Sequence, residues 1–116
     1  MVFRYARHTQ NLDKLIYFYT SVLEFEVIGK FEAHNGYDGV FLGKAGENWH
    51  LEFTQDGHLP ESQFDEDDIL VFYPETLVEF QKILANLEYY KVPLLTPKNP
   101  YWKENGICFQ DCDHYS

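Results

Sequence analysis

The chain has 116 residues, 19 acidic against 9 basic, giving a formal net charge of -10 at pH 7; 45% are hydrophobic, with 10 Phe and 9 Tyr. That length suits one domain, 1–116, with a real core, and the aromatic content excludes a disordered chain while supplying flat apolar walls for a pocket. The charge repels phosphate backbones and anionic bilayers, the two cysteines are too few for a disulfide scaffold, and no signal peptide or run of ~18 apolar residues is present, so the expectation is a soluble cytoplasmic protein with neither nucleic-acid nor membrane partners.

The chain opens on VFRYARHT, a strand in which Arg4, Ala6 and His8 oppose Phe3, Tyr5 and Arg7. Asn11 is a good N-cap, and Leu12, Leu15, Ile16, Tyr19, Val22 and Leu23 recur at helical spacing, predicting a helix over 12–23. FEVIGKF follows as a strand. Asn35-Gly36 and Asp38-Gly39 signal turns, and VFLG and WHLEFTQ read as a hairpin across the Ala45–Asn48 turn. This first module, β-α-β-β-β, covers about 1–55.

A connector over about 56–68 holds Glu61, Asp65, Glu66, Asp67 and Asp68, read as a solvated loop or, alternatively, a cation site. The order then restarts. ILVFY reads as a strand, Pro74 as a helix start, and Leu77, Phe80, Ile83, Leu84 and Leu87 as one apolar helix face over 75–89. VPLL is a short strand, KNPYW a loop and GICFQ another strand. This second module, about 69–116, is one strand short of the first, and the two form an internal structural repeat.

Phe18-Tyr19 ahead of Val22-Leu23-Glu24-Phe25 resembles the "FY…vLGF" signature of the vicinal oxygen chelate superfamily, with Glu24 where most members carry Gly. That superfamily contains glyoxalase I, extradiol dioxygenases, and bleomycin- and fosfomycin-resistance proteins. Ala6-Arg7-His8-Thr9, the run His34–Gly39, the run His50–Thr54 and Asn99-Pro100-Tyr101-Trp102 are similar to its YycE-like bacterial branch, which typically shows Pro where this chain has His8. The resemblance implies an α+β fold of two βαβββ modules whose mixed sheet curls into a cup, the second module lacking its last strand. It also implies a homodimer with a small-molecule ligand, and no particular reaction.

His50 and Glu52 stand two apart on a strand and so share a face, opposite apolar Trp49, Leu51 and Phe53. By elimination that face looks into the cup. There the pair contacts a ligand or, alternatively, makes an ion pair across the sheet with Arg4. Arg4, His50 and Glu52 among aromatics suit a small polar or zwitterionic molecule. Tyr101 and Trp102, on a loop fixed by Pro97 and Pro100, are read as a stacking lid or as packing of a long connection over the cup's rim. His34, beside the Asn-Gly turn, is a further ligand candidate or simply an exposed turn residue.

Glu52 matches the superfamily's carboxylate ligand position, so Glu52 and His50 are the candidate ligands for a divalent metal (Mn, Ni, Zn or Fe). The other positions fit poorly. The first-strand ligand position falls on or beside Arg4, which has no lone pair to give; the third falls near Asp68 or Ile69; the fourth lies on the absent strand. Three readings follow: a small-molecule binder of glyoxalase and bleomycin-resistance type, a divalent-metal lyase, isomerase or dioxygenase, or a truncated interaction module. For nucleophilic catalysis the sequence offers no GxSxG turn, and Cys108 reads as an apolar strand residue.

The tail ICFQDCDHYS carries Cys108, Asp111, Cys112, Asp113 and His114, all metal-ligating types. In the superfamily a strand followed by Asp-Pro-Asp-Gly and an aromatic fills this place. The aspartates are therefore expected to form a turn, with Cys112 in place of Pro and His114 in place of Gly. A strand edge left bare after Ser116 would need covering, by a partner subunit or an alternative pairing.

Overall fold

The computed structural model describes residues 1–61 and 65–116. They form two compact units, 1–61 and 62–116, described here separately.

In the first unit, β1 (Phe3–His8) leads to α1 (Leu12–Val22), then β2 (Glu26–His34), β3 (Tyr37–Gly43) and β4 (Trp49–Gln55). The sheet runs β1-β4-β3-β2, with β1 parallel to β4 and the other neighbours antiparallel. A parallel β1–β4 pair needs a long crossover between its strands, and the helix and β2–β3 hairpin supply it.

The start of α1 is built by three side chains. Asn11 Oδ1 accepts from Lys14 N at 3.1 Å, Gln55 Oε1 from Leu12 N at 2.8 Å, and the fully buried Thr9 hydroxyl from Asn11 N at 3.2 Å. These satisfy donors that a helix start otherwise leaves without partners. At the other end Glu24 turns left-handed, φ 57°, and Phe25 N bonds back to the Tyr19 carbonyl at 3.1 Å.

The core lies between α1 and one face of the sheet. Leu15, Tyr19 and Val22 from the helix meet Val40 and Leu42 from β3 and Leu51 and Phe53 from β4, all buried. Rings tie it together, with Tyr19 5.2 Å from Phe53 and 5.9 Å from Phe25, and Phe25 5.5 Å from Trp49. Each large apolar side chain removed from water contributes roughly 1.5–3 kcal/mol, which is why a helix of only 11 residues holds its place.

The second unit contains α2 (Leu77–Tyr89) and α3 (Pro100–Asn105). Helix α2 starts at Leu77 rather than beside Pro74, because Thr76 is the N-cap and accepts from Glu79 N at 3.1 Å. The Thr76-x-x-Glu79 spacing is that of a capping box. The helix closes with Lys91 left-handed, φ 56°, Lys91 N on the Glu88 carbonyl and Val92 N on the Leu87 carbonyl, the pattern of a Schellman motif.

Three runs expected as strands here are not paired as a sheet among the described residues. Leu95 and Cys108 make an isolated antiparallel bridge, and Leu70 N bonds to the Ser116 carbonyl at 3.0 Å. An apolar run names a face to bury, but it becomes a strand only where a neighbouring backbone supplies a ladder, and Pro93 and Pro97 offer no N–H to one. The loop expected over 98–102 is largely helix: Asn99 caps α3 and Pro100 takes its first position.

Candidate functional site

The face of the sheet turned away from α1 brings the polar residues of the first unit together. On β4, Leu51 and Phe53 pack under α1, so His50, Glu52 and Thr54 point the other way. Register then fixes their neighbours. On β1, Arg4 pairs with His50, Ala6 with Glu52 and His8 with Thr54; on β3, Phe41 pairs with Glu52 and Gly39 with Thr54.

Arg4 Nε lies 3.7 Å from Glu52 Oε2, the Arg4 guanidinium stands 5.7 Å from the centre of the Phe41 ring, and His50 meets that ring edge-on at 5.3 Å. The Arg4 side chain is 52% exposed and that of Glu52 is 15% exposed. A pair so open to water is worth at most about 1 kcal/mol. One approach at 3.7 Å also leaves most of the hydrogen-bonding capacity of a five-donor guanidinium and a four-lone-pair carboxylate unused by the pair. The arrangement therefore presents both charge signs beside an aromatic face without locking them to each other.

An apolar strip borders this cluster. Phe31 lies across Gly39, where an added Cβ would fall 2.1 Å from the ring, and it meets Phe41 at 5.9 Å. His34, the exposed last residue of β2, touches the strip through an edge contact with Phe31 at 6.1 Å. Its described ring contact is thus with the strip rather than with the Arg4–Glu52 pair. Tyr101 and Trp102 belong to α3 of the second unit, where they meet edge to face at 4.8 Å with Tyr101 exposed.

A second polar group on the same face was not singled out from the sequence as a site. His8 Nδ1 lies 3.1 Å from Thr54 Oγ1, and His8 Nε2 lies 2.9 Å from Asp56 Oδ1 and 3.3 Å from the His58 carbonyl. The His58 backbone N–H donates to Asp56 Oδ1 at 3.0 Å, and His58 Nδ1 approaches Oδ2 at 3.4 Å. That backbone bond, opposed by burial and helped by the charges of His8 and His58, holds the Asp56 carboxyl below its ordinary range. The signal was partly visible: Thr54 continues the two-residue period of His50 and Glu52, and His8 replaces an expected Pro.

The described residues do not bring together a metal ligand set. Among the described residues no three His, Cys, Asp or Glu side chains gather as a cation would need. Glu52 has a permanent cation, Arg4, 3.7 Å away, which has no lone pair for a metal and would oppose one nearby. The tail forms a turn: Asp111 Oδ1 accepts from Asp113 N at 2.8 Å and Tyr115 N at 3.2 Å, and His114 N bonds to the Asp111 carbonyl. His114 has φ 66°, a conformation natural to the Gly it replaces. No helix among the described residues is long and apolar enough to cross a membrane.

Comparison with known proteins adds the wider setting. The YycE-like N-terminal domain matches residues 3–54 and the YycE-like C-terminal domain matches residues 67–116. Uncharacterized protein YycE of Bacillus subtilis is 40% identical over 111 residues, spanning 95% of this chain and 80% of that one. Among solved structures, a YycE protein of unknown function from Bacillus subtilis superposes with a TM-score of 0.83 at 38% identity, over 97% of this chain and 82% of that one. Glyoxalase I of Leishmania major gives a TM-score of 0.71 at 23% identity, over 97% and 79%. The fosfomycin resistance protein FosX of Listeria monocytogenes, solved with Mn(II) and a dihydroxypropylphosphonic acid, gives 0.68 at 16%, over 97% and 84%. The last two are likenesses of fold.

Proposed function

We propose that this chain, which belongs to the YycE-like family and has the vicinal oxygen chelate fold, binds a small polar or zwitterionic molecule without a protein-held metal. The observation that carries this reading is the Arg4–Glu52 pair beside Phe41 and His50 on the sheet face away from α1. Arg4 takes an anionic group of the ligand through its planar donor fork, Glu52 takes a cationic or hydroxyl group, and Phe41 supports the carbon skeleton. The acidic chain disfavours a polyanionic ligand, and the small separation of the two charges suits a compact one. Homodimer assembly and a cytoplasmic location complete the reading by analogy, and sedimentation measures the first.

The test is a thermal-shift screen of amino acids, betaines and phosphonates, fosfomycin among them, each with and without Mn²⁺, Ni²⁺, Zn²⁺ and Fe²⁺. The expected result is stabilisation by an organic ligand that does not depend on added metal and is lost in Glu52→Ala and Arg4→Ala. A stoichiometric metal that disappears in Glu52→Ala would overturn it, and would return the protein to the metal-dependent lyase, isomerase or dioxygenase class.

A further inference from the structure

The His8 group carries chemistry that the binding reading does not use. Both atoms facing His8 Nε2 are pure acceptors, the Asp56 carboxylate at 2.9 Å and the His58 carbonyl at 3.3 Å. Nε2 therefore bears the ring proton, and in the neutral imidazole Nδ1 is the basic lone pair. The group found at Nδ1 is the Thr54 hydroxyl, 3.1 Å away, which donates to that nitrogen when the ring is neutral. A hydroxyl, an imidazole and a carboxylate thus stand in line, each within hydrogen-bond reach of the next.

The surroundings fix this line. Thr54 is locked on both sides of its strand, paired with Gly39 on β3 and His8 on β1, and its carbonyl accepts from Thr9 N at 2.8 Å. Gly57 adopts φ 87°, and the resulting turn folds both the N–H and the carbonyl of His58 back onto Asp56 and His8. Beside Thr54, the Phe31 ring covers Gly39, and Tyr37 meets His8 edge-on at 6.1 Å, so aromatic rings border this end of the sheet face.

We propose that Thr54, His8 and Asp56 form a nucleophilic relay that transfers small acyl groups from activated esters to the Thr54 oxygen and then to water. Thr54 Oγ1 attacks the ester carbonyl carbon as its proton passes to His8 Nδ1; the Oγ1–C bond forms and the carbonyl π pair moves to oxygen. Collapse of that intermediate breaks the bond to the leaving group, which departs as an anion or takes the proton from His8. Where the leaving group departs as an anion, Nδ1 gives its proton to solvent. Water then attacks the acyl-threonine carbonyl and passes one proton to the free Nδ1; the Oγ1–C bond breaks, Oγ1 takes that proton back, and the carboxylic acid leaves. Asp56 stays ionised and holds the ring in the required tautomer, a positioning role.

The experiment mixes the whole protein with p-nitrophenyl acetate, follows p-nitrophenolate release, and maps the acetyl group by peptide mass spectrometry. The expected result is a burst of one equivalent per chain with the acetyl group on Thr54. The burst disappears in Thr54→Val, survives in Thr54→Ser, and slows by about 100-fold or more in His8→Gln. Acetylation confined to lysines or the N-terminus of the unaltered protein sinks the idea without reference to any variant, as does an undiminished burst in a folded Thr54→Val.

Discussion

Asp56 is a carboxylate whose ionisation is tied to folding through named contacts, the His58 N–H at 3.0 Å and the His8 ring at 2.9 Å. Its folded pKa lies below the ordinary value of 3.8, so its contribution to stability is complete above that value and is lost as pH falls through the lower, folded one. Between the two the unfolded chain binds a proton that the native state does not, and stability climbs with pH. Asp56→Asn is therefore expected to have a lower urea midpoint than the parent at neutral pH, with the gap closing in acid. Midpoints measured from about pH 2 to about pH 6 check this, and a gap that stays constant across the range counts against it. At this scale the sequence was a partial guide. Glu24 and His114 were visible as substitutions for Gly, and the left-handed backbone at both explains why Gly is the ordinary choice there. The partnership of His8 with Asp56 was not visible, because a residue just past a strand end has no period to reveal its direction.

Strands and helices followed local signals where those signals were complete. Asn35-Gly36 forms the β2–β3 turn with both residues left-handed, φ 52° and 84°, as a two-residue hairpin of matching twist requires. The register shift between Phe31 and His34 had no such marker: Ala33 is also left-handed, φ 50°, and its N–H is taken by Asp38 Oδ1 at 2.9 Å. Gly39 likewise reads from sequence as a turn residue, yet it lies inside β3, bare so that Phe31 can cross it. Gly39→Ala is accordingly expected to cost about 1–3 kcal/mol by forcing the Phe31 ring aside. In a Phe31→Ala background most of that cost should vanish, and a double-mutant cycle by chemical denaturation measures it. Equal costs in the two backgrounds would mean that the ring is not the obstacle.

For the molecule as a whole, the two units differ in how their backbones are satisfied. The first has a four-stranded ladder closed over a helix; the second has two helices and, among its described residues, an isolated bridge. Amides of Val40, Leu42, Leu51 and Phe53 are expected to exchange with solvent far more slowly than those of 106–110, which native-state hydrogen exchange measures directly. Comparable protection in the two stretches would refute this ranking. The sequence by itself determined the α+β class, the first helix, the β3–β4 hairpin and the shared face of His50 and Glu52, because periodicity and turn chemistry are local properties of the chain. The family, too, was legible in short motifs. Only the tertiary structure decided what stands beside that face: Arg4 at 3.7 Å from Glu52, Phe41 beneath the guanidinium, and His8 between Thr54 and Asp56. Those neighbours come from the pairing of β4 with β1 and β3, and register between strands distant in sequence is set by burial of Val40, Leu42, Leu51 and Phe53 against α1, not by any residue's own preference.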